Sequence, residues 1–196
     1  MIKHVFRVSA LVAALLAAGC ASITPSALVR LATMDPLAAD PAVLSVAAVM
    51  PAALKLRNAD VVLDFSLEAP APYGPVHEVV PLEIVDGDAT PGVVASPTFE
   101  HIQQARIARA DVERLSAGLA KARAFRATGR SDGKGSITVT IKGGCRAGAV
   151  GNGPLIAAIH MRSKPGEKFF PLTTSIDLRK LLGDAAIAML PACRGG

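Results

Sequence analysis

The chain has 196 residues and is 51% hydrophobic, which is enough for one domain with a substantial core. Its formal net charge is +5, but it contains no Trp and a single Tyr. This composition argues against the aromatic stacking platforms of proteins that bind single-stranded nucleic acid, so no nucleic-acid partner is expected.

The first predicted element is a signal peptide over residues 1–19. Lys3, His4 and Arg7 form a basic start, and the run that follows, 8–18, carries no charge. Because a helix needs about 20 residues to cross a bilayer, this run is too short for a membrane span. A basic start, a short apolar run and small residues before the cleavage point are typical of a secretory signal. A buried N-terminal helix is the alternative interpretation.

The signal ends in the sequence LAAGC over residues 16–20, which resembles the lipobox of bacterial lipoproteins. The resemblance implies cleavage between Gly19 and Cys20, a diacylglycerol on the Cys20 thiol and an acyl chain such as palmitate on the new amine. The family more often has Leu where this chain has Ala17. Ala21, rather than Asp, follows the cysteine and resembles an outer-membrane sorting signal. We therefore expect a lipid-anchored outer-membrane protein whose domain faces the periplasm, with the membrane as a partner.

Residues 20–40, rich in Ala, Ser, Thr and Pro, are interpreted as a lipidated tether, and residues 41–196 as a single β-rich domain. Within the domain, hydrophobic and polar side chains alternate in short segments, as in strands that bury one face. Turn-forming residues separate most of these segments. The predicted strands cover residues 44–50, 54–56, 63–67, 80–84, 99–107, 137–141, 155–161 and 169–176.

One long helix is predicted between the fifth and sixth of these strands. Asp111 and Glu113 lie in its first turn, where carboxylates complement the helix dipole, and Gly129 follows its last turn as a C′ residue. A shorter helix is predicted after Asp177, which can act as its N-cap. The long helix has one apolar stripe, because hydrophobic side chains recur every three or four residues at Val112, Leu115, Leu119, Ala122 and Phe125.

The order of these elements predicts a mainly β fold. Strands stand on both sides of the long helix, and most are joined by turns. This favours an antiparallel two-sheet sandwich of about eight short strands with one inserted α-helix. The alternative is an α+β arrangement in which the helix packs on a single sheet.

The three cysteines fit an oxidising compartment. If Cys20 is lipidated, Cys145 and Cys193 remain as an even pair, and we predict a disulfide between them that closes a loop of about 48 residues. Two buried free thiols are the alternative. A zinc site is disfavoured because neither cysteine has a CxxC partner or a nearby His, and we expect no metal and no cofactor.

Charge is divided unevenly along the mature chain. Without residues 1–19 there are 19 basic and 16 acidic side chains, a net charge of +3. Residues 20–104 carry 3 basic and 10 acidic side chains, a net charge of −7, whereas residues 105–196 carry 16 and 6, a net charge of +10. We expect the two halves to interleave so that their charges mix on one surface. A basic face directed at anionic lipid is the alternative.

The search for a catalytic site finds no recognisable motif. The glycine-rich stretch 143–153 lacks the GK[ST] of a phosphate-binding loop, so we interpret it as a flexible hairpin connection. No GxSxG is present, and Ser131-Asp132 has no matched His. Asp86 and Asp88 flank Gly87 in what we interpret as a turn rather than a calcium loop.

Histidines offer a second route to chemistry. His77, His101 and His160 are the histidines of the mature chain. Geometry permits a metal site that uses all three, but its statistical support is weak. His160 alternates with the apolar residues of its predicted strand, so we expect it to be exposed. Cys145 with His160 would mimic a thiol catalyst, but Cys145 is better used in the disulfide.

The resulting functional hypothesis is a non-catalytic envelope lipoprotein that acts as a protein-interaction or structural module, with an unidentified envelope protein as its partner. The mature chain is also similar to uncharacterised predicted lipoproteins of alphaproteobacteria, and this similarity implies no activity. One alternative is a binder of a small apolar or lipid ligand between the sheets, in a cavity lined by Leu63, Phe65, Val139 and Met161. The other is a periplasmic hydrolase whose site would bring His160 together with a carboxylate and a hydroxyl.

Overall fold

The computed structural model describes Ser26 and residues 35–87, 90–96 and 98–193. The described residues form nine strands, three α-helices and one short 3-10 helix, Pro36–Ala38. The helices are α1 (Arg109–Ala127), α2 (Leu178–Leu182) and α3 (Asp184–Met189). The strands are β1 (Ser45–Pro51), β2 (Leu54–Lys55), β3 (Val61–Glu68), β4 (Val76–Asp86), β5 (Glu100–Ile107), β6 (Lys134–Ile141), β7 (Cys145–Arg146), β8 (Ile156–Arg162) and β9 (Phe170–Asp177).

Two antiparallel sheets of unequal size make up the fold. Seven strands form one curled sheet in the order β6-β3-β4-β5-β1-β8-β9, and β2 pairs with β7 in a second, two-stranded sheet. The predicted fold class, mainly β with one long inserted helix, is confirmed.

The long helix covers one half of the large sheet. On β3, the alternate side chains Leu63, Phe65 and Leu67 are buried beneath α1, as the sequence pattern predicts. From α1, the apolar stripe buries all its members except Val112, which is partly buried. We call this side of the sheet the helix face. Its core also includes Val61, Val76, Val80, Leu82, Ala105 and Ile107.

The ends of α1 agree with the sequence, except that Glu113 lies beyond the first turn because the helix begins at Arg109. Asp111 lies in the first turn, and Gly129 follows the C-cap residue Thr128 with a φ of 70°. That conformation is in the left-handed region, where glycine is favoured because it has no Cβ. The sequence Lys-Pro-Gly-Glu over residues 164–167, which predicts a type II turn, also forms a turn. Gly166 has a φ of 71°, and the N–H of Glu167 donates to the carbonyl of Lys164 over 3.3 Å.

Two smaller cores cover the other half of the sheet. On the helix face, Ala48 and Met50 of β1 pack with Leu54, Leu155 and Ile187, so that α3 and the β2 region cover this end. On the opposite face, which we call the back face, Val93, Ala95 and Phe169 cover β1. The Asp177 carboxylate accepts a hydrogen bond from the N–H of Arg179 over 3.0 Å, which confirms the predicted N-cap of α2.

The two halves of the sequence interleave, as expected. β3 from the acidic half lies between β4 and β6, and β6 belongs to the basic half. Carboxylates of the first half therefore meet guanidinium groups of the second. These ion pairs join Asp35 to Arg126 at 2.6 Å, Glu83 to Arg106 at 3.0 Å, and Glu78 to Arg114.

The glycine-rich stretch differs from its interpretation as a simple hairpin connection. Residues 145–146 within it form β7, which pairs with β2 so that Cys145 lies opposite Lys55 and Arg146 opposite Leu54. No local alternation marks so short a strand. Its partner lies about 90 residues earlier in the chain, and only the tertiary fold brings the two together.

Candidate interaction surface

β6 is an edge strand with an uncovered apolar side. Its side chains Ile137, Val139 and Ile141 are 42%, 53% and 62% exposed, and we call these three residues the apolar row. They lie on the helix face, because they stand opposite the buried Phe65, Leu63 and Val61 of β3. The helix that covers β3 leaves the neighbouring strand open, so a contiguous apolar surface remains exposed.

The backbone of β6 is also open, along the outer edge of the sheet. Among the described residues β6 pairs only with β3. The N–H of Lys142 donates to the carbonyl of Asp60 over 2.7 Å, which extends that ladder by one position. Since backbone groups alternate in direction along an antiparallel strand, the N–H and C=O groups of the apolar row point away from β3. The edge therefore offers three donors and three acceptors beside three apolar side chains.

At the opposite edge of the sheet, β9 is better protected than β6 against pairing with another chain. β9 contains Pro171, and its pairing with β8 shifts register between Ala157 and Ile159 and again between Ile159 and His160. Proline and bulges are features that keep edge strands from pairing with other chains. β6 instead keeps an unbroken eight-residue register with β3, and it has no Pro and no charge between Lys134 and Lys142.

An open groove of about 460 Å³ separates α1 from β6. Three cations border it, and two of them are paired. Arg126 donates to both carboxylate oxygens of Asp35, over 2.9 and 2.6 Å, and holds the pKa of that carboxyl below its usual value. Arg130 does the same for the pKa of Asp132. Lys134 is the third cation, and the apolar lining comprises Leu37, Phe65, Leu67, Ala122, Phe125 and Ile137.

The predicted disulfide is present. Cys145 and Cys193 are joined by an S–S bond of 2.04 Å across a sequence separation of 48. Arg146 supports the same contact: its N–H donates to the carbonyl of Pro191, and its Nε to the carbonyl of Leu190, over 2.8 and 2.9 Å. The bridge therefore fastens the C-terminal segment to the small sheet.

The three histidines lie apart. His101 stands opposite Met50 and His160 opposite Ala47 on β1, so their side chains project from opposite faces of the sheet. The register of β4 and β5 puts His77 about 11 positions, roughly 36 Å, from His101 along the strands. The described residues hold no group of three or more His, Cys, Asp or Glu that could bind a metal.

His160 is less exposed than the sequence predicts. It is half-buried, burial lowers its pKa, and its Nδ1 has no hydrogen-bond partner among the described residues. Burial likewise lowers the pKa of His101. The expectation was wrong because alternation identifies the face of a strand but not what covers that face. The hydrolase alternative needs a hydroxyl or carboxylate bonded to His160, and no such bond forms within the part of the chain that the structure describes.

The cavity expected between the sheets does not form from the predicted side chains. Leu63 and Phe65 are buried in the core beneath α1, whereas Val139 is more than half exposed. Met161 belongs to β8, and four strands separate β8 from β6. These four residues therefore do not surround one space.

Other candidate residues have structural roles or fall outside the described chain. Asp132 pairs with Arg130 in the turn before β6, and Asp86 ends β4, while Asp88 is outside the described residues. The lipobox positions Gly19 and Cys20, with the whole predicted signal peptide, also lie outside them and stay predictions. Among the described residues, no helix is both long and apolar enough to cross a membrane.

Sequence reasoning identified β6 as a strand but missed its position at the edge. A usable signal is present, since Lys134 and Lys142 flank a stretch without charges, and flanking charges often guard strands that tend to associate. Comparisons with protein-family models, with curated proteins and with solved structures find no match to this chain.

Proposed function

We propose that this protein is a non-catalytic, lipid-anchored envelope protein whose β domain is a protein-interaction module, with β6 as the contact strand. The single observation that carries the proposal is the open edge of β6, where backbone groups that pair with no described residue lie beside the apolar row. Added strands bind to such edges through main-chain hydrogen bonds, and side-chain contacts give them specificity.

Two further features support the location. The LAAGC sequence over residues 16–20 resembles a lipobox, and the disulfide between Cys145 and Cys193 is of a kind that persists outside the reducing cytoplasm. In this proposal Cys20 carries the acyl chains, residues 20–40 form the tether to the domain, and the domain faces the periplasm from the outer membrane.

The interaction is tested by placing a photo-crosslinking amino acid at Val139 in envelopes from cells. We expect a covalent adduct of higher mass at this position. The matched control is Val79 of β4, which is 41% exposed but lies on an interior strand of the sheet. No adduct at position 139, or equal adducts at both positions, refutes the use of β6 as a contact strand.

The anchor is tested separately. Cys20→Ser should abolish incorporation of labelled palmitate and leave the leader uncleaved, and mass spectrometry of the wild-type protein should find an acylated Cys20 as its first residue. A soluble wild-type protein that starts at Met1 contradicts the lipoprotein assignment.

The groove between α1 and β6 favours a second candidate function, the binding of a single anionic acyl chain. Its apolar lining suits methylene groups, and Lys134 at its border suits a carboxylate. Binding of a fluorescent fatty acid should weaken in Lys134→Glu. Lys142→Glu, at the other end of β6, is the matched control and should bind as the wild type does. Equal binding by the two variants contradicts this function.

A further inference from the structure

We infer that β6 pairs antiparallel with β6 of a second copy of this chain, so that two seven-stranded sheets join into one continuous sheet. The inference rests on the proposed use of β6 as a contact strand and names the partner. Three observations carry it: the order of residues in β6, the positions of its lysines and the direction of the backbone groups that do not bond to β3.

The last five residues of β6 read the same in both directions. Residues 137–141 are Ile-Thr-Val-Thr-Ile. Because a two-fold axis relates the strands of an antiparallel pair of identical chains, a pairing centred on Val139 sets isoleucine against isoleucine and valine against valine. Cross-strand pairs of β-branched side chains stabilise sheets, and opposite residues lie on the same face, so the two apolar rows meet side by side.

The lysines select this register. A pairing centred on Thr138 would set Lys134 directly opposite Lys142 of the second copy, twice in each dimer, and like charges in that position are destabilising. A pairing centred on Val139 sets Lys142 opposite Ser136 of the second copy instead. A pairing centred on Thr140 sets Ile137 opposite Gly143 of the second copy and loses its apolar partner. The pairing centred on Val139 avoids both penalties.

The backbone fits the same centre. The N–H and C=O groups of the apolar row point to the open edge, because the even-numbered neighbours bond to β3. Each of the three opposed pairs, 137 with 141, 139 with 139 and 141 with 137, can therefore exchange two hydrogen bonds. The dimer would form about six new main-chain hydrogen bonds.

The register is tested by cysteine crosslinking of the full chain in membranes. Two copies of Val139→Cys with different tags are expressed together and oxidised mildly. We expect a disulfide adduct that carries both tags, because opposed residues of an antiparallel pair have Cα atoms about 5.5 Å apart, within disulfide reach. Ile137→Cys alone is the matched control. Its two copies would lie roughly 13 Å apart along the strands and should give about tenfold less adduct.

A mixed experiment completes the test. Ile137→Cys expressed with Ile141→Cys should restore the adduct, since these two positions face each other in the proposed pairing. If Val139→Cys gives no adduct with both tags, or if Ile137→Cys crosslinks equally well, the dimer is overturned. An adduct with one tag and another protein also overturns the dimer but keeps the proposed function. Loss of every adduct in both the cysteine and the photo-crosslinking experiments overturns both.

A substitution tests the dimer without added thiols. In detergent, the wild type should sediment as a dimer and Val139→Lys as a monomer, because two lysines would meet at the two-fold axis. Val79→Lys adds the same charge on an interior strand and should stay dimeric. A monomeric wild type, or a dimeric Val139→Lys, contradicts the inference.

Discussion

Replacing both Cys145 and Cys193 with Ala should lower the free energy of unfolding by about 4 kcal/mol. The bridge closes a loop over a separation of 48 residues. In the chain-entropy description, a loop of this length lowers the entropy of the unfolded chain by about 14 cal/mol/K, which gives this value at 25 °C. Alanine is the better replacement because Cys145 is buried, and a serine hydroxyl there would need a hydrogen-bond partner.

The native contacts of the C-terminal segment should survive the double substitution. The N–H of Cys193 donates to the carbonyl of Arg146 over 2.8 Å, and Ile187 is buried in the core, so the segment has other attachments. Most of the lost stability should therefore come from the greater entropy of the unfolded chain. Its larger exposed surface should also steepen the dependence of stability on denaturant.

Urea unfolding followed by far-ultraviolet circular dichroism measures this loss. Wild type in the presence of a thiol reductant should lose the same amount, and the double-alanine variant should not respond to the reductant. A loss below about 1 kcal/mol would refute the reasoning, because it would mean that the loop is already constrained when the chain unfolds.

Three further predictions concern the domain. Phe65→Ala, in the core beneath α1, should lower the free energy of unfolding by about 3–5 kcal/mol, whereas Phe99→Ala, at a 74% exposed side chain, should change it by less than about 0.5 kcal/mol; similar losses contradict the assigned core. Gln103→Leu should cost about 1–3 kcal/mol in urea unfolding, because the buried amide of Gln103 bonds to both the N–H and the carbonyl of residue 56, and an unchanged midpoint contradicts this role. Burial lowers the pKa of His101 and of His160 in the folded state, so the unfolded chain takes up protons at a higher pH than the folded chain does. The free energy of unfolding should therefore fall as the pH drops through about 6.5 toward 5. The variant with glutamine at both positions should lose this part of the pH dependence, and an unchanged slope of stability against pH contradicts the prediction.

Local sequence determined most of the elements of this fold. Alternation at Leu63, Phe65 and Leu67 requires only that neighbouring side chains of a strand point to opposite faces. The helix stripe and Gly129 likewise depend on contacts within a few residues, and the turn at 164–167 needs only Pro and Gly at fixed positions. The disulfide could be inferred as well, because the lipobox resemblance assigned Cys20 to lipid and left two cysteines to pair.

The candidate surface was decided by the tertiary structure alone. The alternation at 137–141 is as regular as that of a buried strand, but the sheet order puts β6 at the edge and α1 over its neighbour. Strand order and covering layers depend on pairings between residues far apart in the chain, which local patterns do not encode. For the same reason His160 was expected to be exposed and is half-buried, and β7 had no local signal. The sequence thus determined which residues form strands and which side of each strand is apolar, and only tertiary packing decided which apolar side stays exposed.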